Sequence, residues 1–428
     1  MSGTICPILS VVPNRALVDE TFKVVVENLP PTSPVTLHSL HHSEDKDFWE
    51  AYGHYISDHR GLVNVSEDMS FGGTYSGKEP MGLLWSMRPE PGSRKGLRLR
   101  KMNVSTPVLV HISVYSGHVT EGFRKLPPLA SALAERWYMA PGVRRIDVRE
   151  KKMRGTLFIP PGPGPFPGLL DIWGGGGGLV EYRAALLASR GYATLALEYF
   201  APGKLQSANV ELDYFEAAFH ILEDHPQVIS DKVGIFGLSL GAIFAIYLMA
   251  ESTVIKPRCC VCVSGHHFYP VGETLAKFFK LLGKHFEKGV DDGAMVWKST
   301  SPPAGEDCLS KKVDVGKIKC PVLMVSGIDD QNWPTVDSVE DINQMMQAAG
   351  NNHLLFTLKY PGTGHLIEPP FSPLFRTTVF LNPTEKCDTD SVGGQTKPHA
   401  DAQEDSWRKI LAFLHHHLNS SPLQRSKI

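Results

Sequence analysis

One segment constrains the fold of this chain more than any other. The apolar run Val233-Gly234-Ile235-Phe236 leads directly into Gly237-Leu238-Ser239-Leu240-Gly241, and an Ala/Leu/Ile-rich stretch follows. An apolar run, then Gly-x-Ser-x-Gly, then a second apolar run of helical length reads as strand, sharp turn and buried helix. The surrounding sequence has the same rhythm. Strand-like runs stand at 166–173, 193–198, 233–236, 260–263, 321–326 and 354–359. Helix-like stretches stand at 181–190, 212–225, 240–251, 336–349 and 407–417. Such alternation predicts a mostly parallel sheet with helices on both faces. The polar, turn-rich stretch 382–405 reads as a long surface loop before the last helix.

Before about residue 150 the character is different. Short β-like runs at 22–26, 35–40, 82–87 and 108–115 are separated by Pro, Gly, Ser and Asp clusters, the pattern of an antiparallel β-sandwich. A chain of 428 residues is too long for one ordinary core. We therefore expect two domains, a sandwich over 1–145 and an α/β domain over 146–428. The histidines His38, His41 and His42 read as strand and loop surface rather than as a metal site.

Composition narrows the partners. Lys and Arg number 43 against 45 Asp and Glu, so the chain has no broad basic surface for nucleic acid, although a few local cations can still hold a small anion. Seven cysteines, including Cys308 and Cys387, make an odd set without framework spacing, which points to reduced thiols in an intracellular compartment. The start of the chain has neither the apolar core of a secretory signal nor the Arg- and Ser-rich pattern of a transit peptide. The uncharged run 234–250 is short for a membrane span and carries the Gly-Leu-Ser-Leu-Gly turn, so no span is expected.

The chemistry gathers around Ser239. Glycines at 237 and 241 let the turn close, and the turn lifts the hydroxyl to the start of a helix. His365 lies in Tyr-Pro-Gly-Thr-Gly-His at 360–365, just after a strand, where it can serve as the base. The acid comes from Asp329-Asp330 after the strand at 321–326. Chain order alone does not separate the two, and the Gly327-x-x-Asp spacing favours Asp330, with Asp329 shaping the turn. The order serine, acid, histidine is that of an α/β-hydrolase. An oxyanion hole would take one backbone N–H from Leu240 and one from Gly174 or Gly175 in the Gly-rich loop 174–178. That loop lacks the Lys-Ser/Thr of a phosphate-binding loop, and its formal G-x-G-x-x-G match would have to coexist with an independent triad.

Other clusters read as structure. Cys259, Cys260 and Cys262 with His266 and His267 resemble a ligand set, but their apolar strand spacing predicts a buried strand. The histidines at 415–417 read as solvated helix surface. No cofactor and no metal are expected.

With these residues in hand, the chain resembles the family of type I acyl-CoA thioesterases and bile acid-CoA:amino acid N-acyltransferases over nearly its whole length. The resemblance rests on Arg-Gly-Thr-Leu-Phe-Ile-Pro-Pro at 154–161, the Gly-rich loop with Glu181-Tyr182-Arg183, and Asp-Tyr-Phe-Glu at 213–216. It rests most specifically on Asp-Asp-Gln-Asn-Trp at 329–333 and Thr-Gly-His-Leu-Ile-Glu-Pro-Pro at 363–370. It implies an immunoglobulin-like N-terminal sandwich and, as the acid, the second aspartate of the pair, Asp330. The thioesterases of this family use serine and the transferases cysteine, so Ser239 implies hydrolysis of acyl-CoA through an acyl-serine. Two places depart from the family: Leu240-Gly241-Ala242 stands where Lys-Gly-Gly is usual, and Phe200-Ala-Pro-Gly-Lys-Leu205 replaces an Asn-Tyr-Glu-Asp-Leu-Pro run.

The expected function is hydrolysis of medium- to long-chain fatty acyl-CoA. The alternatives are acyl transfer to glycine or taurine, a general carboxylesterase, and a catalytically silent lipid-binding protein. The ending Ser426-Lys427-Ile428 approximates a peroxisomal address, but isoleucine is a weaker match than leucine; the expected compartment is the cytosol, with the peroxisome as the alternative.

Overall fold

The computed structural model describes residues 6–150, 153–175, 178–199, 211–270, 287–288, 294–298, 310–379 and 389–419. Gly176, Gly177, the segment 200–205, Cys308, Cys387 and the ending 426–428 lie outside them. Two compact units divide the chain: Met1–Tyr138 with Glu368–Leu374, and Met139–Ile367 with Phe375–Ile428.

The first unit is a β-sandwich. Its strands are β1 (Ile8–Val12), β2 (Arg15–Leu17), β3 (Lys23–Glu27), β4 (Pro34–His42), β5 (Phe48–Ile56), β6 (Val63–Asn64), β7 (Arg88–Pro89), β8 (Val108–Ser116) and β9 (Ala130–Trp137). One sheet runs β2-β9-β8-β4-β5-β7 and the other β1-β3-β6. All pairs are antiparallel except β2 with β9. The inward positions of β3, Val24 and Val26, are buried while Lys23 and Glu27 face out, the period-two pattern of a half-buried strand.

Two expectations fail in this unit. The run 82–87 is not a strand: α1 (Gly82–Trp85) forms there, with the Ser86 N–H bonded to the Gly82 carbonyl. All four of its residues are buried, and a short apolar run carries no period that separates strand from helix. His38 and His41 are not surface residues either. They sit on β4, a central strand covered on both sides, where His38 Nε2 meets Glu50 at 3.2 Å and His41 Nδ1 meets the Leu109 carbonyl at 2.8 Å.

The second unit is built on an eight-stranded sheet. Its strands are β10 (Arg144–Glu150), β11 (Met153–Ile159), β12 (Phe166–Ile172), β13 (Ala193–Glu198), β14 (Val228–Leu238), β15 (Cys260–Val263), β16 (Val322–Gly327) and β17 (Leu355–Tyr360). The order is β10-β11-β13-β12-β14-β15-β16-β17, antiparallel from β10 to β13 and parallel from there on. The helices are α2 (Tyr182–Ser189), α3 (Leu212–Glu223), α4 (Leu240–Glu251), α5 (Thr335–Ala348) and α6 (Thr396–Leu414). This is the α/β-hydrolase fold. Parallel strands covered on both faces read as continuous apolar runs, and β15, Cys-Val-Cys-Val, is buried at every position. The cysteines are therefore core residues. α4 is apolar all round because it is enclosed by β14, β15 and the neighbouring elements.

The loop expected at 382–405 is a helix from Thr396 onward. The buried stripe of α6 contains His399, Ala402, Gln403 and Ser406 besides Trp407 and Ile410. Its polar residues hide the helical period from a hydropathy reading. Among the described residues no helix is long and apolar enough to cross a membrane.

Candidate active site

Strand β14 ends at Leu238, and the chain turns at Ser239 with φ 54 and ψ -121. A non-glycine residue with positive φ costs on the order of 1–3 kcal/mol and persists only where its surroundings enforce it. Here they do. A Cβ at Gly237 would lie 2.5 Å from the Gly241 carbonyl oxygen, and one at Gly241 would lie 2.0 Å from that of Ile172. Only glycine allows the helix to start this close to β14 and β12. The Ser239 N–H donates to the Val263 carbonyl at 2.8 Å, and the Ser239 carbonyl accepts from Ala242 and Ile243 to open α4.

The serine hydroxyl stands 2.8 Å from His365 Nε2, and His365 Nδ1 stands 2.8 Å from Asp330 Oδ2. The carboxylate can only accept, so Nδ1 carries the proton and Nε2 is free to accept from the hydroxyl. The other oxygen of Asp330, Oδ1, accepts from the N–H groups of Asn332 at 2.8 Å and Trp333 at 3.0 Å. Both side chains of the His365–Asp330 pair are 1% exposed. Asp329 is turned elsewhere: its Oδ2 accepts from Gly394 N–H and its Oδ1 from the Gln331 amide, each at 2.8 Å.

His365 is fixed through its backbone. Its N–H donates to Val392 at 2.7 Å, and its carbonyl accepts from the Ser264 hydroxyl at 2.6 Å. Its chain neighbours are held by His399, whose Nδ1 accepts from Gly364 N–H and whose Nε2 donates to the Leu366 carbonyl. Burial pushes His399 down to about 4, so it is neutral. Sequence reasoning missed both Ser264 and His399, and it quoted Trp333 only as part of a motif. The Trp333 indole N–H points to Ser239 Oγ at 3.4 Å, and its ring packs edge-to-face on His266 at 4.6 Å. His266 is 1% exposed and is pushed down to about 3, by burial first and then by His267 and His365. Among the described residues no group of three or more His, Cys, Asp or Glu side chains is arranged to hold a metal.

The Gly-rich loop leaves β12 beside the serine. A Cβ at Gly174 would stand 3.1 Å from Ser239 Cβ, so glycine there brings the backbone against the hydroxyl-bearing carbon. Gly175 follows it, half-buried, and Leu240 opens α4, where the first N–H groups of a helix have no intrahelical acceptor. Beneath the loop, Arg183 grips Asp171 Oδ1 through Nε at 2.8 Å and Nη2 at 2.6 Å. Its guanidinium lies over Phe236 of β14, tying the end of β12 to the serine's strand.

A serine held on a strained strand–helix turn, in reach of a histidine and a buried carboxylate from later strand ends, defines a serine hydrolase of the α/β-hydrolase class. The comparisons narrow the class. The family model for the C-terminal part of BAAT and acyl-CoA thioester hydrolases matches residues 210–420, and that for the acyl-CoA thioester hydrolase/BAAT N-terminal region matches 19–150. Peroxisomal succinyl-coenzyme A thioesterase of Mus musculus is 37% identical, over 96% of this chain and 97% of its own. Acyl-coenzyme A thioesterase 1 of Mus musculus is 36% identical over 96% and 97%. Bile acid-CoA:amino acid N-acyltransferase of Mus musculus is 36% identical, again over 96% and 97%. The chain belongs to the BAAT/acyl-CoA thioester hydrolase family.

Proposed function

We propose that this chain is an acyl-CoA thioesterase with Ser239, His365 and Asp330 as its catalytic triad. The observation that carries the reading is the continuous hydrogen-bonded line from Ser239 Oγ through both nitrogens of His365 to Asp330. Ser239 attacks the thioester carbonyl while His365 Nε2 takes its proton. Asp330 keeps the proton on Nδ1 and stabilises the imidazolium that forms. Leu240, with Gly174 or Gly175, donates backbone N–H groups to the oxyanion. Collapse breaks the carbon–sulfur bond, and the CoA thiolate leaves with the proton from Nε2. Water then attacks the acyl-serine by the same route and releases the fatty acid.

The substrate we assign is a medium- to long-chain fatty acyl-CoA. CoA release from a panel of acyl-CoAs, with and without glycine or taurine, tests the reading. Free acid unchanged by amine and lost in Ser239→Ala is the expected result. Amide product would move the chain to acyl transfer, the activity in the name of its N-acyltransferase relative. Turnover of simple aryl esters far above that of every acyl-CoA would make it a carboxylesterase. We assign the cytosol as its compartment, with the peroxisome, named for one relative, as the alternative that imaging of the tagged full chain decides.

A further inference from the structure

The first unit holds a cavity of about 320 Å³, and every residue lining it belongs to that unit. Part of its wall is apolar, with Leu84, Met87, Val110 and Phe371. The charged part is unbalanced: Lys46, Arg100, Lys101 and Arg136 face a single carboxylate, Glu44. Glu44 is already engaged, since Lys101 Nζ donates to it at 2.6 Å and the Met102 N–H at 2.7 Å. Arg100 only approaches Asp45, at 3.9 Å on the exposed surface, a pairing of little strength.

Arg136 sets the character of the cavity. It is 3% exposed, and its Nη2 donates to the backbone carbonyls of Val18 and Glu20. The guanidinium carbon lies 5.1 Å from the centre of the Phe22 ring. Nε and Nη1 are buried and have no hydrogen-bond acceptor among the described residues. Burial lowers the group to about 10, with Glu20 and Asp19 opposing the fall, so it is charged at neutral pH. A buried cation with donors left over is costly, and an anion admitted beside it recovers part of that cost.

We propose that this cavity binds an amphiphilic organic carboxylate, its alkyl chain on Leu84, Met87, Val110 and Phe371 and its head at Arg136. Lys46 and Arg100 add positive potential around the head. The volume suits a short single-chain amphiphile and is too small for a two-tailed lipid. The proposal does not depend on the reaction assigned to Ser239.

Met87 lines the cavity and supplies a local reporter. The full-length protein labelled with ¹³C-methyl methionine, its Met87 signal identified by Met87→Leu, is titrated with octanoate, acetate and octylammonium. Octanoate should shift Met87 saturably, while acetate and octylammonium leave it in place over the same range. Arg136→Gln should weaken octanoate about tenfold or more. Because Arg136 also ties the Val18–Glu20 backbone, that variant can misfold. The exposed pair Lys46→Glu with Arg100→Glu then decides, with an expected loss of about fivefold. No saturable shift with octanoate, equal binding of octylammonium or acetate, or unchanged octanoate affinity in the double variant would overturn the proposal.

Discussion

His399 holds the loop of His365 from both sides. Its Nδ1 accepts from Gly364 N–H at 3.2 Å and its Nε2 donates to the Leu366 carbonyl at 2.9 Å, so the residues before and after His365 are pinned to one buried ring. The ring comes from α6, in a stretch whose polar composition suggests a loop. Two backbone groups thus depend on a side chain that does not itself touch Ser239 or Asp330.

His399→Leu should therefore leave two buried backbone groups unsatisfied. At about 1–3 kcal/mol for each group, a loss of roughly 2–6 kcal/mol is expected in urea unfolding. The kcat of the folded variant should fall more than its KM rises, because the base is displaced while the substrate surface is kept. An unchanged kcat would mean that the His365 loop is held without this ring.

Two buried histidines make the fold acid-sensitive. His266 at about 3 and His399 at about 4 both lie below the ordinary value of about 6.5. The unfolded chain then takes up protons that the folded one refuses. Their contribution is fully present above pH 6.5 and is lost as the pH falls from there towards 4 and 3. At pH 5 the loss is about 2 kcal/mol for each histidine. Thermal unfolding across pH 7.5 to 4.5 should show Tm falling below pH 6.5, and less steeply in a folded variant lacking either ring.

The paired aspartates should separate cleanly. Asp330→Asn removes the charge opposite His365 Nδ1, and kcat should drop on the order of 10⁴. Asp329→Asn leaves that contact alone and loosens the bonds to Gly394 and Gln331, so it should cost no more than about tenfold. Steady-state kinetics on both variants checks the assignment, and the reverse ranking would transfer the role to Asp329.

Much of this was legible in the residues. Val233–Phe236 running into Gly237 and Gly241 left room only for a strand–turn–helix, and the structure shows why: Cβ atoms at either glycine would overlap backbone. The parallel sheet followed from the alternation of strand-like and helix-like runs, among them the fully buried Cys260–Val263. The two aspartates were harder. Adjacent residues in one loop share most sequence signals, and only the spacing from Gly327 and the family motif favoured Asp330; the side chains point apart, Asp330 to His365 and Asp329 to Gly394 and Gln331. Ser264 and His399 were out of reach because each acts on a backbone group distant in sequence, and such pairings leave no periodic trace. The short helix Gly82–Trp85 failed for a different reason: four buried residues carry no period at all.

In the proposed reaction the acyl group passes through Ser239. Rapid acid quench of the enzyme during turnover of a saturating acyl-CoA, followed by mass spectrometry of the peptide containing Ser239, tests it directly. The expected result is a mass increase equal to the acyl group on that peptide, absent in Ser239→Ala, with CoA release in that variant lowered on the order of 10⁴. CoA release that persists in Ser239→Ala, with no acyl adduct on the wild-type peptide, would contradict it.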